Sequence, residues 1–207
     1  MTRRNTLKTI AVSAIWVGAA TVFGVGLAGC SPDKPQFHGI DISGADYAKD
    51  FQTVDFNGQP RTLADFRGKA VVVFFGFTQC PDVCPTTMNE MSRVKQLLGP
   101  DGDKLQVLFV SVDPERDTPE VLKAYMGSFD PAFLGLYAGS PEQLAQLAKD
   151  FKVYYKKVEG KTPTSYSMDH TAASYIYDPQ GRLRLYSRYG TSPEAVAEDI
   201  RWLLKGA

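Results

Sequence analysis

Two cysteines with three residues between them, in Thr78-Gln79-Cys80-Pro81-Asp82-Val83-Cys84-Pro85, are the side chains of this 207-residue sequence best suited to chemistry. They fall where an apolar run gives way to a helical pattern. A helix start offers unpaired backbone N–H groups and the positive end of the helix dipole, which favour thiolate. A spacing of four positions across the first turn brings both sulfurs to one face. The pair can then close a disulfide or grip one soft metal ion. Two buried thiols or an inert structural disulfide are the plainer alternatives, the disulfide being common outside the cytoplasm. A loop this short restrains the unfolded chain only weakly, however, and a strand-to-helix junction is a rim rather than a core.

His170 comes from the far end of the chain, in Ser167-Met168-Asp169-His170-Thr171-Ala172. Two thiolates with one imidazole suit soft or borderline metals, copper above all. A four-ligand zinc set is hard to assemble, because the only other histidine is His38. A lone histidine is as often a hydrogen-bonded structural residue, so on the residues alone both readings stay open. Asp113 and Asp117, in Val112-Asp113-Pro114-Glu115-Arg116-Asp117, either orient His170 from behind the ligands or serve a turn and a helix start near Thr118. Asp169, next to His170, joins them as a candidate supporting group.

The elements that must position these residues are legible in outline. Val54 to Gln59 carries an Asn-Gly turn signal between short extended pieces, which predicts a hairpin. Ala70 to Thr78 (AVVVFFGFT) and Leu105 to Val112 are continuous β-branched and aromatic runs, the composition of strands buried on both faces. Pro85 to Leu98 places Met88, Met91, Val94, Leu97 and Leu98 at helical spacing before Gly99-Pro100. Thr118-Pro119, Ser140-Pro141 and Ser192-Pro193 each read as an N-cap with proline at the first helical position, and Gln143 stands where a capping box needs it. Ala172 to Tyr177 and Arg182 to Tyr186 read as strands around an Asp178-Pro179-Gln180-Gly181 turn. With right-handed crossovers this is an α/β fold, a central mixed sheet flanked by helices. A strand, a cysteine pair, a helix and a late hairpin make the thioredoxin order, here with an N-terminal hairpin extension. Loops at the C-terminal ends of the parallel strands then gather on one rim, where Cys80, Cys84 and His170 can converge.

The rest of the composition mainly excludes. Lysine plus arginine equals aspartate plus glutamate, 23 each, and no stretch is strongly basic, so nucleic acid is not an expected partner. The first 29 residues hold Arg3, Arg4 and Lys8 but no acid, followed by an apolar run ending in Leu27-Ala28-Gly29-Cys30. That is the layout of an export signal over 1–29. Its end resembles a bacterial lipobox, with Cys30 as the lipidated residue, and its start resembles a twin-arginine signal with Thr6 where phenylalanine is preferred. A retained single membrane helix is the alternative. Either way the expectation is the bacterial cell envelope, outside the cytoplasm. Residues 30–50, broken by Pro32, Pro35 and glycines, read as a flexible tether, and 51–207 as one domain.

Three stretches occur together and in order: Phe75 to Pro85, Ser111-Val112-Asp113-Pro114-Glu115-Arg116-Asp117-Thr118-Pro119-Glu120, and Asp169-His170-Thr171. Jointly they resemble the Sco/SenC family of copper chaperones, over about Asp55 to Leu204. The resemblance implies a thioredoxin fold in which Cys80, Cys84 and His170 bind one copper, as Cu(I) or Cu(II). It also implies a role in assembling the dinuclear copper site of cytochrome c oxidase, by delivering copper, by reducing that site's cysteines, or both. The implied partners are the copper-site subunit of the oxidase, a thiol reductant that keeps Cys80 and Cys84 reduced, and the membrane through the lipid anchor. Two other classes remain open: a thiol–disulfide oxidoreductase with Cys80 and Cys84 as redox pair, and a peroxidase with Cys80 as nucleophile. Against the first stand three intervening residues where efficient thioredoxin-like reductants have two. Asp169-His170 also stands where those proteins carry a cis-proline.

Overall fold

A computed structural model describes residues 36–162 and 165–207. The export signal expected over 1–29 and Cys30 lie outside the described residues. Among the described residues no helix is long and apolar enough to cross a membrane.

The chain joins the domain earlier than its composition suggests. Strand β1 (Ile40–Asp41) pairs antiparallel with a late strand, and the buried Asp199 carboxylate accepts the backbone N–H groups of His38 and Gly39, each at 2.8 Å. Ala48 and Phe51 are buried. Residues 37–50, expected as tether, are therefore packed onto the domain. A polar, glycine-containing stretch hides this because its apolar anchors, Phe37, Ile42, Tyr47 and Ala48, follow no strand or helix period, and the rest of its attachment is through backbone groups and one distant aspartate.

The N-terminal hairpin is as expected: β2 (Thr53–Asp55) pairs with β3 (Pro60–Arg61). Its turn is organised by Asp55, which accepts from the Asn57 and Gln59 N–H groups and pairs with Arg61. Next come β4 (Ala70–Gly76), α1 (Val83–Leu98), β5 (Leu105–Ser111), α2 (Pro119–Gly127), β6 (Leu134–Tyr137) and α3 (Pro141–Asp150). The chain closes with β7 (Tyr155–Glu159), β8 (Tyr166–His170), β9 (Ala173–Tyr177), β10 (Leu183–Arg188) and α4 (Pro193–Leu204). Thr118, Ser140 and Ser192 each cap their helix by accepting the N–H three residues on.

The main sheet has the order β1-β10-β9-β4-β5-β6-β2-β3, with β4, β5 and β6 parallel and the other pairings antiparallel. Every residue of β4 and β5 is buried. The two-residue period of β4 serves two layers. Phe75 packs on Phe151, just past α3, with ring centroids 5.1 Å apart. Gly76 faces the other way, against Cys84 of α1. Each such fully buried phenylalanine contributes about 1.5–3 kcal/mol to the core.

Two features depart from expectation. Helix α1 starts at Val83, ahead of Pro85, so Cys84 lies inside the first turn. Strands β7 and β8 form a separate two-stranded sheet that pairs Tyr155 with His170 and Glu159 with Tyr166. Strand β7 is mostly exposed and lysine-bearing, and β8 alternates over only five residues with a single buried side chain, so the pair is weakly announced.

Candidate metal centre

Strand β4 ends at Gly76, and the turn that follows carries Phe77, Thr78, Gln79 and Cys80. The Cys80 N–H donates to the Phe77 carbonyl at 3.3 Å. Asp117 fixes this turn from the β5–α2 loop: its carboxylate accepts from the Thr78 hydroxyl at 2.6 Å, from the Thr78 N–H at 3.2 Å and from the Ser111 hydroxyl at 2.6 Å. Burial raises the Asp117 carboxyl above its ordinary value against these hydrogen bonds. Helix α1 then begins, and the Cys84 N–H donates to the Cys80 sulfur at 3.4 Å. The helix-terminus contact therefore falls on Cys80, which is half-buried, while Cys84 is wholly buried among core residues.

That burial corrects the expectation for Cys84, which was of a rim thiol with a lowered pKa. Desolvation pushes the Cys84 thiol far above its ordinary value, and the neighbouring Cys80 sulfur adds to the effect. At neutral pH Cys84 carries its proton until a metal or an oxidant removes it.

His170 ends β8 and enters the same space from the other side. Its Nε2 lies 3.4 Å from the Cys84 sulfur. Nδ1 lies 3.2 Å from the Thr171 carbonyl, a pairing that as a donor leaves the Nε2 lone pair facing the thiols. The ring stands edge-on to Phe74 and Phe77, with centroids 5.9 Å and 5.8 Å away. Burial lowers the His170 pKa below the ordinary 6.5. The three ligand atoms of Cys80, Cys84 and His170 lie within 4.8 Å of one another. Two sulfurs and a neutral imidazole nitrogen at that separation fit a soft ion of low coordination number.

Of the roles open to the supporting aspartates, orientation of His170 is the one not seen. None contacts the His170 ring, whose Nδ1 is taken by a backbone carbonyl. Asp117 holds the cysteine turn, as described. Asp113 pairs with Arg116 and accepts from the Tyr166 hydroxyl at 2.8 Å. Asp169 lies on the exposed face of β8. Arg116, Tyr166 and Gly76 are the site residues that sequence reasoning left without a role. Arg116 stood within a motif already singled out, whereas the signal for Tyr166 was the short alternation Tyr166-Ser167-Met168-Asp169-His170, which the sequence analysis did not use.

A pH dependence follows from the buried thiol. Metal loading must displace the Cys84 proton, so apparent Cu(I) affinity should rise about tenfold per pH unit for that proton alone. His170 adds nothing to this slope above pH 6.5, because its pKa is lowered from that value and the ring is already neutral there. Its proton competes with metal only at lower pH, where the profile should steepen. Competition titrations between about pH 6 and 8 check this; a flat profile would contradict a protonated Cys84.

Fold and site together define a thioredoxin-like protein with a two-cysteine, one-histidine site for a soft metal. The model of the SCO1/SenC family matches residues 41–205, and the chain belongs to that family. It is 31% identical over 200 residues to an SCO2-like protein of Rickettsia felis, covering 95% of this chain and 97% of that one. It is 40% identical over 154 residues to the mitochondrial SCO2 homolog of Mus musculus, covering 73% of this chain and 60% of that protein. Among solved structures it is similar to Bradyrhizobium japonicum ScoI with copper bound, at 44% identity and TM-score 0.67, over 74% of this chain and 97% of that one.

Proposed function

We propose that this protein is a copper chaperone of the cell envelope, which carries one copper per chain on Cys80, Cys84 and His170 and serves the dinuclear copper site of cytochrome c oxidase. The observation that carries the reading is the convergence of two sulfurs and an imidazole nitrogen from segments 86 residues apart. The copper-bound ScoI of B. japonicum supports copper as the ion. The oxidase as client rests on the family resemblance.

Copper is cargo in this scheme. Cys80, the more accessible thiol, meets an incoming or departing copper first. Cys84, behind it, exchanges its proton for the ion, and His170 completes the set without a proton to lose. Release runs in reverse, as client cysteines replace the ligands one at a time. A lipid on Cys30, with residues 1–29 removed as export signal, would hold the site near a membrane-bound client and raise its effective concentration.

Cu(I) and Cu(II) titrations of the reduced full chain beside a His170→Ala variant test the reading. One ion per chain is expected, with sulfur-to-Cu(II) charge-transfer bands. The variant should bind about 10–100-fold more weakly, since the thiols remain but the third ligand is gone. Absence of specific binding by the unaltered chain would end the chaperone reading.

One observation favours a second reading, reduction of client cysteines. A half-buried Cys80 sulfur that accepts a helix N–H, with Cys84 behind it, has the layout of an attacking and a resolving thiol. Cys80 thiolate would open a client disulfide to a mixed disulfide, and Cys84 would then close the Cys80–Cys84 bond and release the second client thiol. Two electrons pass to the client, and a thiol reductant must restore the pair. Rapid exchange with a model disulfide in the absence of copper is the distinguishing result.

A further inference from the structure

The β7–β8 hairpin, which carries His170, is not hydrogen-bonded into the main sheet. A two-stranded ribbon has little stability of its own, so beyond the two-residue link from His170 to β9 its position is set by side-chain contacts. The inward residues of β8 are Tyr166, Met168 and His170, while Ser167 and Asp169 are exposed. Met168 is buried, and Tyr166 is gripped by Arg116.

Arg116 joins three segments around the ligands: its own loop, the cysteine turn and the hairpin. Its Nε donates to the Asp113 carboxylate in its own loop. Its Nη1 donates to Oε1 of Gln79, next to Cys80, at 3.1 Å and to the Tyr166 backbone carbonyl at 2.9 Å. The guanidinium lies 3.5 Å from the Tyr166 ring centroid and 5.7 Å from that of Phe77, the ring against which His170 stands. The Tyr166 hydroxyl closes the loop on Asp113. Only a planar fork with several fixed donors can bond in these directions and stack at the same time. Nη2 is nonetheless buried without a partner among the described residues, so this arginine is not arranged for maximal hydrogen bonding.

We propose that Arg116 is a positioning residue that pins the hairpin, and with it His170, to the cysteine turn, so that the imidazole faces the thiols before metal arrives. The inference rests on the metal reading of Cys80, Cys84 and His170. A clamp that only stabilised the rim would weaken binding whether or not His170 were present. A clamp that positions His170 acts only through that ligand.

The test is a double-mutant cycle on the full chain between Arg116→Gln and His170→Ala, read by Cu(I) competition and by the Cu(II) electron paramagnetic and charge-transfer spectra. Arg116→Gln alone should weaken Cu(I) binding about 10–100-fold, the usual effect of removing a group that orients a ligand, and move the Cu(II) spectrum toward that of His170→Ala. Arg116→Lys should keep most of the loss, because charge without the fork does not clamp. In the His170→Ala background the same change should alter affinity less than about twofold. Equal losses in both backgrounds, or an unchanged spectrum and affinity, would overturn the proposal. Should Arg116→Gln fail to fold, Tyr166→Leu, which removes the stacking ring and leaves the carbonyl, decides by the same criteria. If the unaltered chain bound no copper, or His170→Ala bound as tightly, the metal reading itself would fall, a failure distinct from that of the clamp.

Discussion

Cys84→Ala should cost about 3 kcal/mol or more of Cu(I) binding free energy, a loss exceeding 100-fold, while leaving the domain folded. The magnitude follows from apparent affinities of about 10–16 kcal/mol for four-ligand metal sites, roughly 3 kcal/mol for each ligand. The fold should survive because Cys84 is a small apolar element of the core in the absence of metal. It is fully buried, its thiol is protonated, and alanine removes one sulfur from an otherwise intact cluster. The expected loss of stability is about 1 kcal/mol, read as a thermal midpoint lower by a few degrees. Alanine is preferred to serine, whose hydroxyl would donate to His170 Nε2, 3.4 Å from the sulfur it replaces. Cys80→Ala should lose comparable affinity with almost no change in midpoint, because Cys80 is partly exposed and outside the fully buried core. Equal midpoints with unequal affinities would oppose this division of labour, as would wild-type copper affinity in either variant.

The same contrast explains what could be read from the amino-acid order. Composition and period locate β4, β5 and α1, and cap residues the other three helices, because burial and the first unpaired N–H groups of a helix must be satisfied locally, whatever the tertiary partner. Cys80 and Cys84 were legible for a similar reason, their spacing being local. Their difference in burial was not. It depends on β4 presenting Gly76 beneath one sulfur and on Val83 starting α1 early, both visible only in three dimensions. His170 was identifiable as a candidate, but its partner was not: the imidazole is oriented by the Thr171 carbonyl, a backbone group no sequence pattern advertises. Asp117 reaches back 39 residues to Thr78, and Arg116 forward 50 to Tyr166. Contacts of that separation have no periodicity to betray them, and the hairpin that supplies Tyr166 is charged on its exposed face. The site is thus read from its ligands inward, whereas its supporting groups emerge only from the packing of loops on one rim.

Gly76→Ala should unfold the site from beneath. A Cβ built on this residue would stand 2.8 Å from the Cys84 sulfur and 2.9 Å from carbons of both Phe109 and Phe74. None of these neighbours has room to withdraw: the two rings are buried in the sheet's inner layer, and Cys84 is held in the first turn of α1. Moving Phe74 would also disturb the ring against which His170 stands. Overpacking a well-filled core typically costs 1–3 kcal/mol, and three simultaneous contacts put this change near the upper end, about 3 kcal/mol. For a domain of this size that is a fall of roughly 6–12 °C in thermal midpoint. Copper binding should fall as well, because relief of the clash pushes the Cys84 sulfur away from Cys80 and His170, and a displacement of a few tenths of an ångström matters to a three-ligand set. Calorimetric unfolding of the metal-free chain and Cu(I) competition measure the two effects separately. A variant that melted like the parent would mean that β4 can shift to admit a methyl group. One that melted early yet bound copper normally would mean that the sulfurs re-form their arrangement once the ion draws them together.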